Sequence, residues 1–150
     1  MSGFMTFHGW FVRGFAAGRG MIIVRPEYVA FLPTEPMKHL GTELAKGVAF
    51  AAAGVVEIGG GRRIRLDDWV KDIRGLPASE LDSEVADVAE KIGGIVWRKG
   101  QAKVVYKSLL FRRKKGLWFV AGKESIRVAK PLLNPEALDE AQRMLDGWET

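Results

Sequence analysis

The chain has 150 residues, 47% hydrophobic and 27% charged, which is the balance of a folded domain with a real core and not of a disordered segment. It has no cysteine, which excludes a disulfide scaffold, a thiolate metal site and a cysteine nucleophile, and fits a reducing, cytoplasmic compartment. The net charge of +5 is unevenly placed: Arg98 to Lys130 holds eleven Lys/Arg against one acid, Glu124, whereas Asp67 to Glu90 holds eight Asp/Glu and Glu136 to Glu149 five.

Residues 1–7 read as a lead-in. The apolar stretch Phe4 to Phe15 has no basic n-region and is interrupted by His8 and Arg13, so no signal peptide is expected, and Ser2 stands where a myristoylation signal needs glycine. His8 to Ala16, rich in aromatics, reads as a first strand ended by the turn Gly18-Arg19-Gly20. The clearest stretch follows, Gly20 to Pro33. Two short arms flank Pro26, which presets φ for the second position of a β-turn. Met21 and Ile23 share one face of the first arm, Ile22 and Val24 the other. Both faces are apolar, so both are expected to be covered.

The period then changes. Met37, Leu40, Leu44, Val48 and Ala51 recur at helical steps, His39 falls at the start of that helix, and Gly59-Gly60-Gly61 breaks the pattern. Within it, Gly47 to Val56 is the most apolar run, far short of the ~20 residues a spanning helix needs. Ile64 to Ile73 reads as a short amphipathic turn or helix with Leu66, Trp69, Val70 and Ile73 inward. A second helix starts at Ser79, with Ser79-x-x-Asp82 as a capping-box variant, buries Leu81, Val85, Val88 and Ile92, and ends at Gly93-Gly94. Strands are expected at Ile95–Arg98, Ala102–Lys107, Leu109–Arg113, Leu117–Ala121 and Ser125–Ala129, with Lys115-Gly116 as a hairpin tip. Asn134-Pro135-Glu136 opens a last helix with Leu138, Ala141, Leu145 and Trp148 along one stripe.

Gly20-x-Ile22-x-Val24-Arg25 followed by Tyr28-Val29-x-Phe31-Leu32-Pro33 is similar to the G-x-L-x-L-T-x-x-x-L-x-F-x-P hairpin of the pleckstrin-homology-like superfamily, in particular its GRAM and bacterial PH-like branches. Leu117-Trp118-Phe119-Val120 resembles a late strand of that superfamily and Asn134 to Trp148 its closing helix. The resemblance implies a small barrel closed by a helix, usually a non-enzymatic binding module. The departures are residues 37–94, where such domains run from strand to strand, and Arg25-Pro26 in place of a Thr-containing turn. Gly18-Arg19-Gly20 is too short and too weakly charged to carry over a lipid-headgroup site in the first inter-strand loop.

Little in the chain points to catalysis. His8 and His39 have no H-x-x-x-H or H-x-x-E partner. Asp67, Asp68 and Asp72 form an acidic cluster that could split pKa values or hold a hard cation, but Lys71 and Arg74 stand close enough to neutralise it. Gly122-Lys123-Glu124 lacks the spacing and the Ser/Thr of a phosphate loop. The basic block remains. Arg112, Arg113, Lys114 and Lys115 cluster at the expected hairpin tip beside Phe111 and Trp118, and Lys103 and Lys107 share a strand face. Three readings stay open: a sheet edge protected by lysines, a contact for an acidic protein or a second copy, and a patch for anionic lipid or nucleic acid. No RRM, OB or helix-turn-helix signature supports nucleic acid.

The expected fold is α+β: a PH-like, strongly bent antiparallel sheet or partial barrel over residues 1–150, capped by a C-terminal helix and carrying a helical insertion at about 37–94. The expected role is a binding or scaffold module with no catalytic residue, metal or cofactor. Its contact residues are Lys103, Lys107, Arg112, Arg113, Lys114, Lys115 and Trp118, and its partner an acidic protein or another copy of itself. The alternative is peripheral attachment to an anionic membrane through the basic tip and the Ala/Gly-rich segment Gly47–Val56.

Overall fold

A strand that is apolar on both faces must be covered twice. In the computed structural model Met21, Ile22, Ile23 and Val24 are each no more than 2% exposed, so both faces of the first arm of the Gly20–Pro33 hairpin are covered. The structure describes residues 3–35, 38–39, 55–58, 62–109, 114–128 and 135–150.

The elements in chain order are β1 (Met5–Arg13), β2 (Ala16–Arg25), β3 (Tyr28–Pro33), the two-residue β4 (Lys38–His39), β5 (Val55–Glu57) and β6 (Arg63–Arg65). Helices α1 (Leu66–Ile73) and α2 (Ala78–Lys91) follow. Strands β7 (Ile95–Arg98), β8 (Lys103–Leu109), β9 (Lys114–Ala121) and β10 (Glu124–Val128) lead to helix α3 (Pro135–Met144). The fold is α+β. Its main sheet has the order β7-β3-β2-β1-β10-β9-β8, with β4 beside β2, and curls into an antiparallel half-barrel. Among the described residues, β5 and β6 form a separate two-stranded ribbon.

Alternation along the strands sends side chains to two cores. The concave core contains Phe7, Phe11, Ile22, Val24, Val29, Phe31, Val104, Leu117, Phe119 and Ile126. Leu138 and Ala141 of α3, with Leu145 and Trp148 just after it, close this side. The Trp148 ring meets Phe119 edge-on with centroids 5.8 Å apart, and its Nε1–H donates to the Pro26 carbonyl at 2.8 Å. The convex core sets Met21, Ile23, Tyr28, Ala30 and Leu32 against Leu66, Trp69, Val70 and Ile73 of α1 and Leu81, Val85, Val88 and Ala89 of α2. Each such buried aliphatic side chain contributes about 1.5–3 kcal/mol relative to an exposed one.

Several expectations need correction. Residues 1–7 are not all lead-in, because β1 begins at Met5 and Phe4, Met5 and Phe7 are buried. Gly18-Arg19-Gly20 is not a turn; it lies inside β2, and the β1–β2 turn is Gly14-Phe15, with Gly14 at φ 58°. Gly20 serves close approach: it faces Gly9 across the β1–β2 ladder, and a Cβ on it would fall 2.4 Å from the Leu32 carbonyl oxygen. Bare backbone at this paired position lets the sheet bend sharply.

Ser79 does not cap α2. The cap position is Pro77, no side chain caps it, and Asp82 instead reaches the hairpin of β2 and β3. Lys38 and His39 form a strand paired with Ala17 and Ala16 and not a helix start, while Val55 and Val56 lie in β5. The rest of the expected helix from Met37, with Gly59-Gly60-Gly61 and the Asn134 cap, lies outside the described residues.

Candidate partner-binding site

The basic hairpin is β8–β9, and its register differs from the one read in the sequence. Lys103 faces Val120, Lys107 faces Gly116, Ser108 faces Lys115 and Leu109 faces Lys114. Lys115-Gly116 is therefore within β9 and not at the tip, and Leu109 ends β8 instead of starting a further strand. A glycine between lysines resembles a turn in sequence, yet an antiparallel ladder is held by backbone bonds and accepts these residues. Arg112 and Arg113 lie outside the described residues.

Strand β8 is last in the sheet order. Its start is met by the chain after α3: the Val104 N–H donates to the Glu149 carbonyl at 2.8 Å, and Lys103 Nζ is 3.5 Å from Glu149 Oε1. Both side chains of that pair are mostly in water, so it contributes little. Lys99 Nζ lies 3.5 Å from the Asp146 carbonyl, so a second lysine leans on the same acidic end of the chain.

Trp118 sits in mid-β9, opposite Val105 on one side and Arg127 of β10 on the other. The ladder continues, because Arg127 faces Trp10 of β1 and Trp10 faces Arg19 of β2. Directly opposed residues share a face, so Trp118, Arg127, Trp10 and Arg19 make one row across the convex side. Arg127 Cζ lies 3.7 Å from the centroid of the Trp118 ring, and its Nε–H donates to Ser125 Oγ at 2.9 Å. Partial burial lowers the Arg127 pKa. Val105, Trp118, Val120 and Arg127 are all half-buried. Arg127 did not stand out in the sequence beyond its place in the basic block. The available signal was its parity with Ser125 in a five-residue strand, which says which face it takes but not that a tryptophan lies beside it.

Of the other candidates, Asp67 gains a partner the spacing did not show: its Oδ1 is 3.9 Å from His8 Nε2, which joins α1 to β1. The expected Asp68–Lys71 and Asp72–Arg74 pairs do not form; the Arg74 guanidinium lies over the Phe4 ring at 5.1 Å. No group of three or more His, Asp or Glu that could hold a metal occurs among the described residues. A cleft of about 590 Å³ opens between the end of β3, β5 and the end of α2. Two of its charged lining groups are engaged, Glu35 with Arg19 and Lys91 with Asp87. Among the described residues no helix is long and apolar enough to cross a membrane.

Comparison with protein-family models, with curated proteins and with solved structures returns no match for this chain. The fold and this site therefore define it only as a curled antiparallel half-barrel with a C-terminal helix, loosely PH-like in shape.

Proposed function

We propose that this chain is a non-catalytic binding or scaffold module of the PH-like superfamily, and that its β8–β9 hairpin recognises an acidic protein partner. The half-barrel closed on its concave side by α3 and Trp148 supports the family reading. The observation that carries the functional reading is charge placement. The last strand of the sheet and its neighbour bear Lys103, Lys107, Lys114 and Lys115; Lys103, Lys107 and Lys114 hold register positions on the strand face of Trp118 and Lys115 one on the opposite face, while the carboxylates of α1 and α2 belong to the layer that covers the other half of the convex face. A cationic strip with an aromatic at its centre attracts an acidic surface from a distance and gives it an apolar contact on arrival.

The test compares the full chain with a variant in which Arg112, Arg113, Lys114 and Lys115 are all serine. Binding of labelled poly-L-glutamate is followed by fluorescence anisotropy over a salt series. The reading expects weaker binding and a shallower salt dependence in the variant, because fewer cations remain for salt to screen. Equal affinity and equal salt dependence would make the lysines a device that keeps the sheet edge soluble. Co-sedimentation with vesicles containing anionic lipid, stronger than binding to poly-L-glutamate, would move the function to a membrane surface.

A further inference from the structure

The arginines of the main sheet differ in one respect. Arg19 and Arg25 are half-buried, and each has a carboxylate: Arg19 a two-point contact with Glu35, closing at 2.7 Å through Nη2, and Arg25 a contact with Asp82 at 3.0 Å through Nε. Arg13 is exposed and still pairs with Glu124 at 2.6 Å. Arg127 is half-buried too, yet among the described residues no carboxylate lies within ion-pair distance of it. Its single hydrogen bond uses Nε, so the Nη1 and Nη2 donors have no protein acceptor among the described residues. A guanidinium offers five donors in a rigid plane, and leaving some unpaired in a partly desolvated place is costly. Burial disfavours its charge, and no neighbouring anion restores it.

The Trp118 ring holds this group in place. A cation–π contact at 3.7 Å holds the guanidinium against the ring before any ligand arrives, and the Ser125 hydrogen bond ties its Nε. Around it lie Val105 and Val120, half-buried and apolar, and Lys103 on the same strand face as Val105. The acidic helix α3 is committed to the concave side, and α1 and α2 cover the β2–β3 half of the convex side. Glu149, after α3, reaches this end of the sheet but pairs with Lys103, and among the described residues no carboxylate lies within ion-pair distance of Arg127.

We propose that Arg127, stacked on Trp118, is the anchor of the partner site and takes a carboxylate of an acidic peptide segment in a two-point contact. The inference rests on the acidic-partner reading and names the residue that would confer selectivity within it. One other half-buried arginine of this sheet shows the geometry at work, since Arg19 and Glu35 already make that two-point contact. A guanidinium fork matches carboxylate and phosphate alike; the acidic-protein reading selects carboxylate here, and the oligonucleotide and vesicle arms of the test below address phosphate.

The test uses the full chain, poly-L-glutamate as probe, and salt of about 0.15 M to screen diffuse attraction. Arg127→Lys keeps the charge but removes the planar fork, so it separates geometry from net charge. Binding is expected to weaken about tenfold or more. Trp118→Leu, which leaves the guanidinium but removes its stacking surface, is expected to weaken binding in the same direction, and it decides the matter should Arg127→Lys fail to fold. Wild-type affinity in a folded Arg127→Lys, or in Trp118→Leu, overturns the inference. If the four-serine variant alone loses binding, the acidic-partner reading stands and the Arg127 anchor falls; if the unmodified chain does not bind the probe, both fall. An oligonucleotide or an anionic vesicle that binds more tightly than poly-L-glutamate, through Arg127, also overturns it by making phosphate the ligand.

Discussion

Asp82 joins three elements, so its removal tests how the helical layer is fastened to the sheet. Its Oδ1 accepts from the Tyr28 hydroxyl at 2.7 Å and from Arg25 Nε at 3.0 Å, and Arg25 also donates to the Gly3 carbonyl. In Asp82→Ala the Tyr28 hydroxyl and the Arg25 guanidinium lose their shared acceptor, in side chains that are largely buried. An orphaned buried partner costs about 1–3 kcal/mol. The Asp82 side chain is itself 41% exposed, so water can replace part of what is lost. A net cost of about 2 kcal/mol is expected, from those two opposing effects. For a chain of this size that lowers Tm by about 4–8 °C. Tyr28→Phe and the double variant complete a cycle, in which about 1 kcal/mol should be shared between the two sites. A Tm within about 1 °C of wild type for Asp82→Ala, or strict additivity in the cycle, would show that the layer is held by apolar packing alone. The same contact has a pH signature. Burial first, and the Asp82 hydrogen bond second, push the Tyr28 phenol pKa up. The folded state then holds that proton more tightly than the unfolded state, so the contribution is complete below about pH 10 and is lost as pH rises beyond it. Burial raises Tyr106 as well, so Tyr28→Phe should reduce the alkaline loss of stability without abolishing it.

Gly20→Ala should cost about 3 kcal/mol, because the new Cβ would meet the Leu32 carbonyl oxygen at 2.4 Å, and a urea midpoint would report it. Gly14→Ala, at φ 58° with open space around it, should cost only about 1 kcal/mol; the reverse order of the two would refute the close-approach account of the curl. Trp148→Phe keeps the ring against Phe119 but loses the bond to the Pro26 carbonyl, so a loss of about 1 kcal/mol is expected by denaturant titration, against about 3–5 kcal/mol for Trp148→Ala. Lys103→Ser should leave the urea midpoint within about 0.5 kcal/mol of wild type, since its ion pair with Glu149 is mostly in water.

Periodicity decided much of this protein before any tertiary contact. The double apolar row of Met21 to Val24 required two layers, and the structure supplies α3 on one side and α1 with α2 on the other. The stripes Leu66/Trp69/Val70/Ile73, Leu81/Val85/Val88 and Leu138/Ala141/Leu145/Trp148 were legible for the same reason: burial selects apolar residues at the spacing of the element. Uneven charge along the chain was legible too, since composition is local.

What depends on which strands meet was not legible. A glycine that ends a strand and a glycine inside a ladder look alike in sequence, so Gly20 and Gly116 both read as turn residues although each is paired within a strand. Asp82 reads as the carboxylate of a capping box because its spacing from Ser79 fits one; its true partners, Tyr28 and Arg25, are more than fifty positions away in the chain. The row Trp118–Arg127–Trp10–Arg19 draws on four strands, and no window of sequence contains it. The sequence alone determined the apolar stripes of the hairpin and the helices, and where the positive charge lies along the chain. Only the tertiary structure decided which arginine of the main sheet stands on an aromatic ring without a carboxylate among the described residues, because that depends on strand order and register, and the antiparallel ladder sets both through backbone bonds that leave no side-chain pattern.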